Sequence, residues 1–292
     1  MTRCEKIRVG VVGVGALGRH HARLYLQNKN EILSGIYDLN PENAFNISKE
    51  FAAKVFPSIE SLAEQCDAIS IAVPADIHYE AAIELLQRNK HLLIEKPIAT
   101  KVRHAEEIVE LAKKKNLVLG IGHVERYNPV MSFLEERAHK TRFIEVHRLA
   151  KYPPPRPGQH RRGTEVGVVL DLMIHDLDII LRLVNSKVER IDAVGIPVLS
   201  RNEDIANVRI KFENGCVANV TASRMSADPT RRFRVFFTDA YMTLDYAERT
   251  GIIYTKHFLG IKKEPIPVHD YNALEKELDD FISCVIEANK TG

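Results

Sequence analysis

What this chain has little of narrows the field first. Its four cysteines, Cys4, Cys66, Cys216 and Cys284, stand far apart and form no Cys-x-x-Cys pair. That argues against a metal site or a disulfide framework and for reduced thiols. Net charge is small: 41 basic against 39 acidic residues, formally +2 over 292 residues. Nothing general in that balance points to nucleic acid or to a membrane surface. No apolar h-region or cleavage signal opens the chain, because MTRCEKIRVGVVGVG runs straight into a strand pattern. A cytoplasmic location is therefore the expectation. The longest apolar stretch, Val166 to Val184, is interrupted by Asp171, His175, Asp176, Asp178 and Arg182, which is too many ionisable groups for a membrane span. There is no internal repeat and no low-complexity tract.

What is there reads as globular. The apolar fraction is 45%, enough for a sizeable core, and the length suits about two domains. Over the first 122 residues strand patterns alternate with helical ones. The strands are Ile7–Val12, Glu31–Asp38, Asp67–Val73, His91–Ile94 and Leu117–Ile121; the helices are Ala16–Asn28, Pro41–Phe51, Ala75–Asn89 and Thr100–Lys115. Such alternation predicts a doubly wound parallel sheet, a Rossmann domain. The second half changes character: a helix around Pro129–His139, a strand Arg142–Ala150, one long helix Val166–Leu183, then a series of strand patterns from Glu189 to Thr255. Asn214-Gly215 marks a two-residue hairpin. A helix over Asn272–Asn289 closes the chain. The expected architecture is α/β, with a Rossmann domain over 1–122 and an α+β domain with a mainly antiparallel open sheet over 123–292. That second domain has few helices to cover both sheet faces, so an oligomer formed through the open face is expected.

Gly13-Val14-Gly15-Ala16-Leu17-Gly18 follows the first strand and opens a helix. In that context the glycines permit a tight turn, a close approach to a pyrophosphate, and close packing of helix on strand. The helix N-terminus offers amide donors to phosphate oxygens. Asp38 lies 20 residues beyond Gly18 at a strand end, where a carboxylate accepts from ribose hydroxyls and repels a 2′-phosphate. Leu39-Asn40-Pro41 supplies no arginine, so NAD is expected over NADP.

Ligands of open α/β sheets sit beyond the carboxyl ends of the strands. Val73, Pro74 and His78 follow one such strand, and Glu95-Lys96-Pro97 follows another. Proline steers Lys96 away from helical backbone and restricts where its ammonium points. Asp171 and His175 are four residues apart, so they share one face of an otherwise apolar helix. A buried ionisable pair needs a partner or a function; on spacing alone, a structural pair and a reactive pair both stay open. Asp176 and Asp178 are expected to point elsewhere.

The combination of GVGALG, strand-end Asp38, AVPADIHYEAA, HLLIEKP and LDLMIHDLD resembles the Gfo/Idh/MocA family of dehydrogenases, from Ile7 to about Thr255. The resemblance implies a Rossmann domain joined to an α+β domain, and oxidation or reduction of sugars, inositols or nucleotide sugars with a nicotinamide cofactor. It matches Lys96 to the family's active-site lysine, and Asp171 and His175 to its aspartate and histidine. It also implies pairing of subunits through the open sheet, as a homodimer or homotetramer. Histidine, with an ordinary pKa of about 6.5, suits removal of a hydroxyl proton at neutral pH. Lys96 suits stabilisation of the developing negative charge. Asp171 suits orienting His175 or binding a neighbouring substrate hydroxyl. Members of the family usually continue past the closing helix, and this chain stops at Gly292; a short tail and a missing segment both stay open.

Gly122 to Pro129, read GHVERYNP, resembles the corresponding segment of members acting on UDP-linked N-acetylated sugars. It offers His123, Arg126, Tyr127 and Asn128 as substrate contacts and implies C3 of a hexosamine as the oxidised position. Arg156, His160, Arg161 and Arg162 form a basic loop, and Arg231, Arg232 and Arg234 a further basic group; guanidinium forks suit phosphate oxygens. A free sugar or inositol dehydrogenase, and a non-catalytic NAD-binding regulator on the same fold, remain as alternatives.

Overall fold

A computed structural model of the chain describes residues 6–28, 31–135, 137–155, 163–258, 260–268 and 270–291. It divides into two units, residues 1–122 with 274–292, and residues 123–273.

The first unit runs β1 (Ile7–Val12), α1 (Ala16–Gln27), β2 (Glu31–Tyr37), α2 (Pro41–Phe51), α3 (Ile59–Ala63), β3 (Ala68–Ile71), α4 (His78–Gln87), β4 (His91–Glu95), α5 (Val102–Lys114) and β5 (Leu119–Gly122). Its strands form one parallel sheet in the order β2-β1-β3-β4-β5. The order reverses beside β1, so the glycine turn after β1 lies at the topological switch point. Alternation along β1 sends Val9 and Val11 to one face with Ala22 and Tyr25 of α1, and Val12 to the other with Leu62 and Ile71. Asn40 caps α2, its Oδ1 accepting from the Glu42 amide at 3.0 Å, and Pro41 begins the first turn as expected. Short α3 was not foreseen; Ser58 and Ser61 cap it reciprocally.

The second unit contains α6 (Ser132–Glu135), β6 (Thr141–Leu149), a π-helical turn (Val169–Met173) leading into α7 (Ile174–Val184), and then β7 (Val188–Ile196), β8 (Ile205–Phe212), β9 (Val217–Ser223), β10 (Thr230–Phe237), β11 (Ala240–Asp245), β12 (Thr250–His257) and β13 (Gly260–Pro265). Its sheet has the order β13-β12-β11-β10-β6-β9-β8-β7. All neighbours are antiparallel except β6 and β9. Gly215, at φ +83°, makes the hairpin between β8 and β9. One sheet face is the core: Ile144, Val146, Val208, Ile210, Phe233 and Val235 pack with Ile179, Ile180 and Leu183 of α7. Each such side chain contributes roughly 1.5–3 kcal/mol by leaving water. The opposite face exposes Asn207, Arg209 and Lys211. It also carries an aromatic ladder, Phe143, Phe236, Tyr241 and Tyr254, with centroids 5.7, 4.6 and 5.3 Å apart in turn.

Three expectations are corrected here. The helix foreseen around Pro129–His139 is only the four residues of α6. The long helix foreseen from Val166 starts as a π-helical turn at Val169, and β13 was unforeseen. The closing helix, α8 (Ala273–Thr291), does not belong with a domain spanning 123–292. Leu278, Phe281, Ile282 and Val285, one stripe at helical spacing, are buried against β1 and α1 of the first unit.

Candidate active site

The turn after β1 is built around close approaches. Gly13 has φ +83°, and a Cβ there would lie 2.7 Å from Val73 Cγ1. A Cβ on Gly18 would come within 1.8 Å of the Gly13 carbonyl oxygen, so only glycine lets α1 start against the turn. At Gly15 a Cβ would meet nothing within 4 Å. Gly15 and Ala16 are exposed and Leu17 half-buried, so the first turn of α1 presents open backbone. This cradle fits a dinucleotide pyrophosphate. Asp38, at the end of β2, has a further job that spacing did not reveal. Its Oδ2 accepts from the Val14 amide at 2.7 Å and its Oδ1 from the Asn40 amide at 2.8 Å. It therefore braces the turn; Oδ1 also receives Asn43 Nδ2 at 3.4 Å, and Oδ2 keeps a lone pair for a hydroxyl.

Val73 and Pro74 follow β3, half-buried and exposed respectively. His78 was expected to touch the cofactor, but its ring is turned inward. It is 1% exposed, with Nδ1 2.7 Å from the Pro97 carbonyl oxygen and Nε2 2.9 Å from that of Val73. It ties together the two segments that leave β3 and β4. Glu95 ends β4, and its carboxylate is buried against the Nε2 of His21 at 3.0 Å. Burial would push the Glu95 carboxyl up, but the His21 contact and the Lys96 charge outweigh it and hold it below its usual range. Lys96 itself is half-buried, and the Lys96–Pro97 bond is cis.

In the second unit Asp171 lies within the π-helical turn and His175 in the first turn of α7, both half-buried. The backbone of Gly163 packs onto Asp171: a Cβ at Gly163 would stand 2.4 Å from Asp171 Oδ2. Asp176 points to the core, as its place round the helix required. It is 0% exposed and holds Arg148 through two contacts of 2.7 and 3.0 Å. Arg148 also donates to Glu125 at 3.3 Å and stands 5.6 Å from the Tyr246 ring centroid. Burial alone would lower Arg148, and the charge of Asp176 reverses that, so the guanidinium stays charged. Asp178 receives Arg126, at 2.7 Å from Nε, with His123 Nε2 3.9 Å away. Asn128 is corrected as a substrate contact. It is 8% exposed, its amide donates to Glu125 at 2.9 Å, and its oxygen accepts from the Val130 amide. The segment 123–128 is thus fastened to α7, with Tyr127 half-buried beside it.

Arg156, His160, Arg161 and Arg162 lie outside the described residues. The pleat of β10 splits the other basic group. Arg231 pairs with Arg148 and shares the inner face with Phe233 and Val235, while Arg232 pairs with His147 on the opposite face. Arg234, on that opposite face too, is held by Glu145 at 2.8 Å.

The model of an oxidoreductase family with an NAD-binding Rossmann fold matches residues 7–123, and the Gfo/Idh/MocA C-terminal domain model matches residues 139–243. The UDP-N-acetylglucosamine 3-dehydrogenase of Acidithiobacillus ferrooxidans is 34% identical over 96% of this chain and 88% of its own. The chain belongs to the Gfo/Idh/MocA family of oxidoreductases. A crystal form of that same dehydrogenase superposes with a TM-score of 0.89, covering 97% of this chain and 90% of the other. Among more distant Gfo/Idh/MocA relatives, the myo-inositol 2-dehydrogenase of Thermotoga maritima is 24% identical over 85% of this chain and 78% of its own. Levoglucosan dehydrogenase in complex with NADH shares the fold at TM-score 0.87 and 18% identity, covering 97% and 91% of the two chains.

Sequence reasoning about this Gfo/Idh/MocA chain missed two buried arginines, Arg148 and Arg224. A signal existed for both. Ile144 and Val146 are inward positions of β6, and the next is Arg148; Ala218, Val220 and Ala222 are inward positions of β9, and the next is Arg224. A charge ending an apolar row needs a buried partner.

Proposed function

We propose that this oxidoreductase uses NAD to oxidise a sugar hydroxyl, and that its substrate is a UDP-linked N-acetylated hexosamine oxidised at C3. The observation that carries this reading is the likeness to the UDP-N-acetylglucosamine 3-dehydrogenase over nearly the whole chain. The glycine turn, the N-terminus of α1 and Asp38 would hold the dinucleotide. The nicotinamide, when bound, supplies the acceptor for the hydrogen leaving the carbinol carbon. His175 takes the hydroxyl proton, Lys96 stabilises negative charge developing on a substrate oxygen, and Asp171 orients His175 or binds an adjacent hydroxyl. NAD is preferred over NADP because the Asp38 carboxylate would stand against a 2′-phosphate.

The test is NADH formation with a panel containing UDP-N-acetylglucosamine, free sugars and myo-inositol. Turnover confined to the nucleotide sugar supports the reading. Turnover with inositol or a free sugar favours the second reading, and binding of NAD with no turnover of any substrate favours a non-catalytic regulator. Tighter binding of NADP than of NAD would overturn the cofactor preference.

The aromatic ladder on the open sheet face, flanked by exposed strand residues, supports pairing of two or four copies through that face. Light scattering that gives a monomer at micromolar concentration would overturn this.

A further inference from the structure

Arg224 and Asp204 form an ion pair wholly inside the second unit, 2% and 0% exposed. Arg224 Nε donates to Asp204 Oδ1 at 2.7 Å. Asp204 is otherwise saturated: its Oδ2 accepts from three successive amides, 198–200, at 2.7 to 2.9 Å, and its Oδ1 from the Ser200 hydroxyl at 2.8 Å. The pair therefore has donors to spare on the arginine side: those of Nη1 go to the chain entering the helix that bears Asp171, and those of Nη2 to the loop before β8. Nη1 donates to the Gly163 carbonyl at 2.6 Å and to the Val166 carbonyl at 3.1 Å, and Nη2 to Ser200 Oγ at 3.1 Å and to the Glu203 carbonyl at 3.4 Å.

Gly163 is the residue whose backbone touches Asp171. Its φ is +79°, and a Cβ there would lie 2.4 Å from Asp171 Oδ2 and 2.9 Å from its carboxyl carbon. Two residues after Val166 the helical backbone begins, with the Asp171 amide donating to Gly167 at 3.0 Å. The Arg224 fork thus grips both ends of the four-residue approach to this helix, and one gripped residue forms the wall against the carboxylate. Burial opposes the charge on Asp204, but the amides of Ser200 and Val198 together with Arg224 outweigh it and hold that carboxyl well below its usual range. The anchor for Arg224 is consequently permanent over the working pH range.

We propose that Arg224, anchored by Asp204, is a positioning residue for Asp171: it holds the 163–166 backbone as the wall against which the carboxylate is set. The reaction-site role of Asp171 is the reading given above, and the proposal rests on it for its functional consequence. A planar fork that serves an ion pair and two carbonyls at once cannot be replaced by a point charge on a flexible stem.

Hydrogen exchange of the whole chain tests the positioning directly and needs no substrate. Arg224→Met should speed exchange of amides 164–171 roughly tenfold or more, the scale for losing charge-assisted bonds, while β8 and the outer part of β9 keep their protection. Equal acceleration throughout the second unit, or unchanged protection of 164–171, would overturn the proposal. Arg224→Lys keeps the pairing with Asp204 but cannot reach both carbonyls; it should give the same local pattern if the methionine variant does not fold. With UDP-N-acetylglucosamine and NAD, Arg224→Lys should lower kcat about tenfold with KM changed less than about twofold, and adding Asp171→Asn should cost less than the product of the two separate losses. Multiplicative losses would overturn it. If Asp171→Asn alone keeps full turnover, the reaction-site reading fails, and the exchange pattern still decides whether Arg224 sets the wall.

Discussion

The Nε2 of His21 lies 3.0 Å from Oε1 of Glu95, with His21 at 0% and Glu95 at 8% exposure. This contact joins α1, the helix behind the glycine turn, to the residue that precedes Lys96. Glu95 stays ionised in the fold, since its carboxyl is held below the ordinary range. Removing the imidazole leaves a buried charge without its main partner. His21→Leu should therefore cost about 3–5 kcal/mol of stability at neutral pH, and His21→Gln, which keeps a donor of similar reach, distinctly less. Urea unfolding measures both. A depressed carboxyl stabilises the fold above the unfolded-state pKa and loses that contribution as pH falls, so the penalty of His21→Leu should shrink under acid conditions. A pH-independent penalty would argue against the charge-based account.

Glu31, at the start of β2, is 3% exposed, and neither carboxylate oxygen has a hydrogen-bond partner among the described residues. Burial, reinforced by Asp279, pushes it up to about 7. Its sign is opposite to that of Glu95: the folded state resists ionisation, so stability declines from about pH 4.5 to about pH 7 as the unfolded chain ionises first. Glu31→Gln removes this decline. It should stabilise the protein at pH 8 by up to about 3 kcal/mol, from the size of that shift, and change little at pH 4. Thermal melts at the two pH values check this.

Asp176→Asn should damage stability more than chemistry. The substitution removes a charge from the buried pair with Arg148, leaving Glu125 at 3.3 Å as the remaining charged acceptor. A loss of about 3–5 kcal/mol is expected. At a temperature where the variant is folded, its turnover should exceed that of Asp171→Asn. The reverse order would mean that Asp176 acts on substrate.

His175→Ala and Lys96→Ala should each lower kcat/KM by about 100-fold or more, the usual scale for a positioned acid–base group. NAD affinity should change little in His175→Ala, because the glycine turn and Asp38 belong to the first unit. Oxidation by the wild type should slow toward acid pH, since a protonated imidazole cannot accept a proton. Near-normal turnover in His175→Ala with none in Lys96→Ala would move the proton-accepting role to Lys96.

Much of the fold and part of the candidate site were legible from residue order. Gly13 and Gly18 announce a turn that admits no side chain. Ala68 to Ile71, apolar except for Ser70, announces a parallel strand covered on both faces, and Asn214-Gly215 announces a hairpin. These are constraints of backbone dihedral and short period, and they act within a few residues. Lys96, Asp171 and His175 were proposed from a motif, and Asp38 from its distance from the glycines. What only the tertiary structure decided is which buried group serves which. His78 turned from the cofactor to two backbone carbonyls, Asn128 went to Glu125, and Arg232 and Arg231 parted to opposite faces of one strand. α8 returned to the first unit although it follows β13 of the second. The pairs Arg148–Asp176 and Arg224–Asp204 span 28 and 20 residues. Each depends on strand register and on which apolar stripe covers which sheet, and a local pattern of residues does not carry that information.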